Sequence, residues 1–392
     1  MTMRTMDERS ARTDRAGRRA PRIRAAAALA AVALGAAACG GAAGGGAAGG
    51  GQEAGGVEEL ELQMASFLSP TTAQGQAITW WMEQLEERTG GRVTVDPFWD
   101  ASLLGAEEVR DGVRDGRVEL GNMTYAYTPS DFPITSMVEV PFLGDNIGAQ
   151  IRALNSLYQS DEAFRGEWEE KQGIKVLSFI GIPPALTGAK EPVTTVDWYR
   201  GRTVRASGFF VRALEAVGGN PAAIPVPETY EAMRTGTIEA YGGLILDVIT
   251  PLSLHEVGGQ IHDPGLGHYA NSTWTMSMDS WESLSPELQA IVEELNAEFP
   301  EQLLIAAERT EDEACTTILE AGGSATIFSA EQTQIWRDAI GDAPMRAWMD
   351  KAAAAGVADP AALYEQFRSL YQEAETGEYA DYRSGIERCA SR

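Results

Sequence analysis

The sequence predicts an α/β protein of two lobes with a cleft between them, preceded by an export leader. Three observations carry the prediction. Strand-like and helix-like segments alternate after residue 57, the alternation restarts near residue 202, and a long helical tract follows a late strand at 273–278.

The first run opens with residues 59–67, which alternate apolar and polar side chains as a half-buried strand does. Residues 73–88 have the three-to-four spacing of an amphipathic helix, which stops at Gly90-Gly91, and residues 92–99 read as a second strand. A short helix at 106–114, a strand at 118–124, one helix across 146–171 and an apolar strand at 174–180 complete the run. Such βα alternation favours a mostly parallel sheet with helices on its faces. The second run comprises a strand at 202–206, a helix at 209–217 ended by Gly218-Gly219, a strand at 222–226, a helix at 228–234 and a strand at 241–246. In the helical tract 286–321, Pro300 removes a backbone donor, which predicts a kink.

Ahead of these elements, residues 4–24 are rich in arginine, residues 25–38 are small and apolar, and Cys39 follows. That is the layout of a secretory signal, and the apolar run is shorter than the roughly 20 residues a membrane-spanning helix needs. Ala36-Ala37-Ala38-Cys39 resembles a bacterial lipobox, with Ala36 where leucine is usual. Lipidation of Cys39 and ordinary cleavage that leaves Cys39 incidental both fit. The Gly/Ala stretch 40–56, which has no periodicity with which to pack, suits a tether behind a lipid anchor. The expected organisation is a signal peptide at 1–38, lipidated cysteine and tether at 39–56, and a first lobe at 57–180 joined by about 271–310. The second lobe is expected at 181–270, joined by about 311–392.

With 57 acidic against 31 basic residues the formal net charge is −26, and loss of the arginine-rich leader makes the remainder more acidic still. Such a field excludes nucleic acid as a partner. It also repels anions at long range, but screening over about 8 Å leaves a local desolvated cation free to dominate binding. Besides Cys39 the cysteines are Cys315 and Cys389. An oxidising compartment permits a disulfide between them, and two free buried thiols are the alternative.

Several blocks are more specific. Ser102-Leu103-Leu104-Gly105-Ala106-Glu107-Glu108 and Gly116-Arg117-Val118-Glu119-Leu120-Gly121 resemble segments of TRAP transporter solute-binding proteins of the DctP type. So do Glu139-Val140-Pro141-Phe142-Leu143, Gly201-Arg202-Thr203-Val204-Arg205, residues 228–240 and residues 281–287, all in the family's order. The resemblance implies a periplasmic-binding-protein-like fold with a hinge and a long interdomain helix. It also implies an extracytoplasmic receptor that closes on a small organic carboxylate and delivers it to TRAP membrane permease subunits, without a cofactor and without catalysis.

The family's ligand arginine maps onto Arg205, whose planar fork of donors suits a carboxylate. Gly243 and Glu107 fall at other ligand-proximal positions of the family, with a solvated helix acid the alternative for Glu107. Trp274 and Tyr125 lie in segments bordering its cleft, with core packing the alternative for each. Phe67 and Thr71 precede the helix at 73–88, whose N-terminus favours anions. Departures narrow the ligand. A second arginine used by sialic-acid-binding members would fall near Pro184, a stacking phenylalanine becomes Val226, and an acidic and an amide residue become Gly242 and Gly243. The resemblance therefore disfavours a polyhydroxylated sugar acid.

Two rivals remain at this level. An exported hydrolase is opposed by the lack of a Gly-x-Ser-x-Gly elbow or a His-Glu-x-x-His helix, and His255, His262 and His268 stand at irregular spacing for a metal. The other rival keeps the receptor but has it present its ligand to a sensor kinase.

Overall fold

The computed structural model describes residues 58–392. The first run consists of β1 (Leu60–Ser66), α1 (Ala73–Arg88), β2 (Val93–Phe98), α2 (Val109–Arg114), β3 (Leu120–Thr124), α3 (Ile147–Ser160), α4 (Glu162–Gln172) and β4 (Ile174–Gly181). The second consists of β5 (Leu186–Ala189), β6 (Thr203–Arg205), α5 (Phe209–Ala216), β7 (Asn220–Ala222), α6 (Thr229–Thr235), β8 (Ala240–Leu244), α7 (Leu246–Ile249), α8 (Leu254–Gly258) and β9 (Gln260–Asp263). Then come β10 (Asn271–Ser277), α9 (Met278–Ser283), α10 (Pro286–Glu320), β11 (Ser324–Ile327), α11 (Ala330–Ile340), α12 (Ala343–Ala354), α13 (Pro360–Thr376) and α14 (Gly385–Ala390).

Local chemistry explains the boundaries. Thr72 caps α1 by accepting from the Gly75 amide, and Ala73, Ala77, Ile78, Trp81 and Leu85 form its buried stripe. Gly90 and Gly91 follow with φ of +64° and +78°, a left-handed turn that glycine enters at little cost. The single helix expected over 146–171 is two helices. Asn146 caps α3, while Asp161 ends it and caps α4 by accepting from the Phe164 amide at 2.8 Å. The kink expected in 286–321 does not divide α10, which runs as one helix of 35 residues through Pro300.

Two sheets organise the molecule, in the orders β2-β1-β3-β10-β4 and β11-β9-β5-β8-β6-β7. Neither follows the mostly parallel expectation throughout. β10 runs antiparallel to both β3 and β4, and β5 runs antiparallel to both β8 and β9. In each sheet these strands arrive by a crossing from the other side of the molecule rather than by a βαβ turn, so the handedness that makes neighbours parallel does not apply.

The chain crosses between sheets repeatedly. β10 returns to the first sheet, and α10 then spans both layers. Leu288, Val292, Leu295, Phe299 and Leu303 of α10 pack with the first sheet's core, while Ala314 and Ile318 pack with the second's. Burying such side chains stabilises by about 1.5–3 kcal/mol each, so the helix joins the lobes firmly. α11 buries Trp336 against the second sheet's core, but α12 and α13 return to the first, where Trp348, Leu363, Phe367 and Tyr371 join its core. Trp348 donates to the Ile134 carbonyl at 3.1 Å. Cys315 of α10 and Cys389 of α14 form a disulfide with Cα atoms 5.6 Å apart.

Candidate functional site

β6 is only three residues long and lies between β7 and β8, pairing parallel with both. Its last residue, Arg205, is 4% exposed. The guanidinium Nε donates to the Ile224 carbonyl at 3.0 Å and Nη1 donates to the Gly242 carbonyl at 3.1 Å. No carboxylate among the described residues forms a salt bridge with it. Burial lowers its pKa from the ordinary arginine value, and the phenols of Tyr269 and Tyr127 are the groups that oppose the shift. The result is a buried cation held in place by dipoles and left without a counter-charge.

β8 forms the wall beside it. Gly243 has φ of +69°, and a Cβ there would stand 3.9 Å from Arg205 Nη1. A Cβ on Gly242 would collide with the Phe210 ring. The two glycines therefore let β8 pass close to both groups and present carbonyl oxygen instead of side chains. Tyr241 turns the other way, donating to the Gly258 carbonyl at 2.8 Å.

Two tyrosines from distant segments complete the surroundings. Tyr127 follows β3, is 42% exposed, and meets Phe67 edge-to-face with ring centroids 5.4 Å apart. Loss of hydration raises its hydroxyl pKa, Arg205 opposes the rise, and Glu107 adds to it. Tyr269 lies between β9 and β10 and packs against the cores of both sheets. Burial pushes its hydroxyl well up, Arg205 opposes this, and Tyr127 and Asp247 reinforce it. Asp247, at the start of α7, accepts from the Ala73 amide of α1 at 3.4 Å and so ties the second lobe to the first. Its other oxygen, Oδ1, is buried with no partner, and burial raises the carboxyl to about 6.

Of the residues singled out in the sequence, Arg205 and Gly243 come together here, Phe67 meets Tyr127, and Glu107 raises the Tyr127 hydroxyl pKa from an exposed position. Thr71 is exposed just ahead of α1, where its hydroxyl meets that of Ser69 at 2.9 Å. Trp274 is fully buried on β10, edge-on to Trp81 at 5.3 Å. Tyr125 is fully buried and donates to Glu139 at 3.4 Å. Sequence reasoning missed Tyr127 and Tyr269. The signal for the first lay in Tyr125-Ala126-Tyr127, where the second aromatic of the pair turns outward.

His262 and His268 are buried apart from this site. His262 packs tilted against Phe328 with ring centroids 3.9 Å apart and its pKa lowered to about 3, and His268 Nδ1 bonds the Ile182 carbonyl at 2.8 Å with its pKa lowered to about 4. Burial disfavours the charged ring in both. No group of three potential metal ligands occurs among the described residues, and no described helix is long and apolar enough to cross a membrane. Cys39 lies outside the described residues.

Two sheets linked by crossing segments, with a buried arginine at the end of β6 that makes no salt bridge among the described residues, have the architecture of a two-lobed binding protein. Residues 64–347 match the family described as bacterial extracellular solute-binding protein, family 7, and the chain belongs to that family. It is 28% identical over 229 residues to the 2,3-diketo-L-gulonate-binding periplasmic protein YiaO of Escherichia coli, covering 56% of this chain and 67% of the relative. It is similar to a TRAP periplasmic solute-binding protein of Desulfovibrio salexigens at 26% identity and a TM-score of 0.70, covering 81% of this chain and 98% of that structure. A marine metagenome TRAP solute-binding protein specific for aromatic acid ligands shares the fold at 22% identity and a TM-score of 0.72, covering 80% of this chain and 99% of that one. The family and these neighbours are extracytoplasmic receptors rather than enzymes.

Proposed function

We propose that this protein captures a small organic carboxylate between its lobes and delivers it to the membrane subunits of a TRAP transporter. Arg205 grips the carboxylate, Gly243 and the Gly242 carbonyl frame the approach, and Phe67 lines the same side as Tyr127. Glu107 and Thr71 are exposed, and Trp274 and Tyr125, fully buried, belong to the cores of the first lobe. The first lobe takes 57–180 with about 271–310, and the second takes 181–270 with the later chain except residues 343–376. Lipidation of Cys39, followed by the tether at 40–56, holds the receptor at the outer face of the cytoplasmic membrane.

One observation carries this reading: a guanidinium 4% exposed with no acidic partner. A buried cation held only by carbonyl dipoles keeps its charge free to pair, and such a site is suited to an anion that arrives from outside. A thermal-shift screen against organic acids tests it. A ligand at 100 times its dissociation constant adds about 2.7 kcal/mol of stability. A library spanning mono- and dicarboxylates in which no acid shifts the transition would refute the assignment.

A further inference from the structure

Two acids, Asp247 of α7 and Glu311 of α10, line one small cavity that Arg205 does not reach. Ala73 and Gln74 of α1, Ile147 of α3 and Thr310 of α10 line it with them, and the rest of the lining is apolar or glycine. Its volume is about 10 Å³, room for one water-sized particle. The walls therefore come from the first lobe, from the second lobe and from the helix that spans both.

The charges around this cavity do not balance. Glu311 is 3% exposed and pairs with Arg388 Nη2 at 3.1 Å. Arg388 is shared with Asp312, which Arg392 also holds at 2.8 Å. Asp247 receives only the Ala73 amide, at 3.4 Å on Oδ2, and its Oδ1 is buried with no partner. No lysine or arginine among the described residues forms a salt bridge with it, so three acids share two arginines and Asp247 is the one left over.

The remaining polar groups suit a cation better than an anion. The Thr310 hydroxyl donates to the Ala307 carbonyl at 3.2 Å, which leaves its oxygen lone pairs free to accept. Gln74 Oε1 already accepts from Asn122 at 3.3 Å. Two carboxylates fall short of the three acidic or imidazole ligands that no described cluster provides, and a divalent ion demands about six oxygens or more. A single positive charge of water-like size matches both the missing charge and the volume.

We propose that the cavity between Asp247 and Glu311 binds one dehydrated monovalent cation, held by Asp247 Oδ1, the Glu311 carboxylate and the Thr310 hydroxyl. The ion ties the second lobe, through Asp247, to α10 beside the first turn of α1. It acts at the joint between the lobes and not on the acid held by Arg205.

Thermal unfolding of the full chain at equal ionic strength in sodium, potassium, ammonium or choline chloride tests this. At about pH 8 both carboxyls are ionised, since burial raises Asp247 to about 6 and Glu311 to about 7. Choline screens the surface as the other cations do but is too large for the cavity. At least one of the three small cations is expected to raise the melting temperature by roughly 2–4 °C over choline. Asp247→Asn keeps the shape and removes the unpaired charge, so it should melt at or above wild type in choline and lose the difference between salts. Thr310→Val should reduce that difference by about half or more. Equal melting of the wild type in all four salts would overturn the proposal. A difference that persists undiminished in the variants would also overturn it, by placing the ions on the acidic surface. Should Asp247→Asn fail to fold, Thr310→Val decides alone.

Discussion

Replacing Arg205 with methionine separates a ligand-gripping arginine from a structural one. In the empty protein the guanidinium makes hydrogen bonds of 3.0 and 3.1 Å to the Ile224 and Gly242 carbonyls and meets no carboxylate. Hydrogen bonds from a charged group contribute about 1.5–3 kcal/mol each. Against them stands the effective penalty of burying an ion, which is several kcal/mol. The two nearly cancel, and methionine's unbranched chain keeps most of the packing, so Arg205→Met should alter the stability of the empty protein by no more than about 1 kcal/mol. Binding behaves differently. Removing one partner of a desolvated charge pair costs about 2–5 kcal/mol, or roughly 30-fold to several thousandfold in affinity. Chemical denaturation of the empty protein and titration with the bound acid measure the two quantities on one preparation. A loss of more than about 3 kcal/mol in the empty protein, or an unchanged affinity, would refute the reasoning.

Two further perturbations follow from the fold. The Cys315–Cys389 crosslink spans a sequence separation of 74 residues, so replacing both by serine should lower unfolding free energy by roughly 4 kcal/mol in guanidinium titrations; wild type and variant unfolding alike under oxidising conditions would show that the crosslink contributes nothing. Burial lowers His268 from its ordinary 6.5 to about 4. The unfolded chain therefore takes up the proton first, and stability present above pH 6.5 is lost as pH falls toward 4, by about 3 kcal/mol. His268→Asn should flatten that part of the stability profile, and an unchanged slope would place the acid sensitivity elsewhere.

Where sequence and structure agree, the local code is strong. α1 was legible because an apolar stripe and a glycine pair mark the same segment; the Thr72 cap came only with the structure. Asp161 was not legible as a break, because an aspartate within a charged helix looks the same whether it faces water or caps the next turn. β5 was not read as a strand at all, and the direction of β10 was hidden for another reason. It depends on which lobe the chain has just left, a property of the crossing and not of the strand. α12 and α13 have ordinary amphipathic patterns that fit either core, and the choice of the first rests on contacts such as Trp348 with Ile134. In the site, resemblance pointed to Arg205 and Gly243. Tyr269 stayed hidden because Gly265 and Gly267 just ahead of it break any strand or helix pattern, so nothing local ties it to the arginine.

On the role proposed for Arg205, the way it is held explains how so acidic a protein takes an anion. Long-range attraction is unavailable, since the overall field opposes approach and is screened within about 8 Å. Affinity must arise inside the cleft, from a cation whose charge has not already been spent. Had Asp or Glu oriented the guanidinium, an incoming carboxylate would have to displace or share a full negative charge. Backbone carbonyls orient it with partial charges only, at Ile224 and Gly242, and leave the remaining donors and nearly the whole positive charge for the ligand. Gly243 matters for the same reason: a side chain 3.9 Å from Nη1 would fill the space a carboxylate needs. The acidity of the surface and the absence of an acid beside Arg205 are therefore one arrangement, in which selectivity depends on entering the cleft and not on being drawn to it.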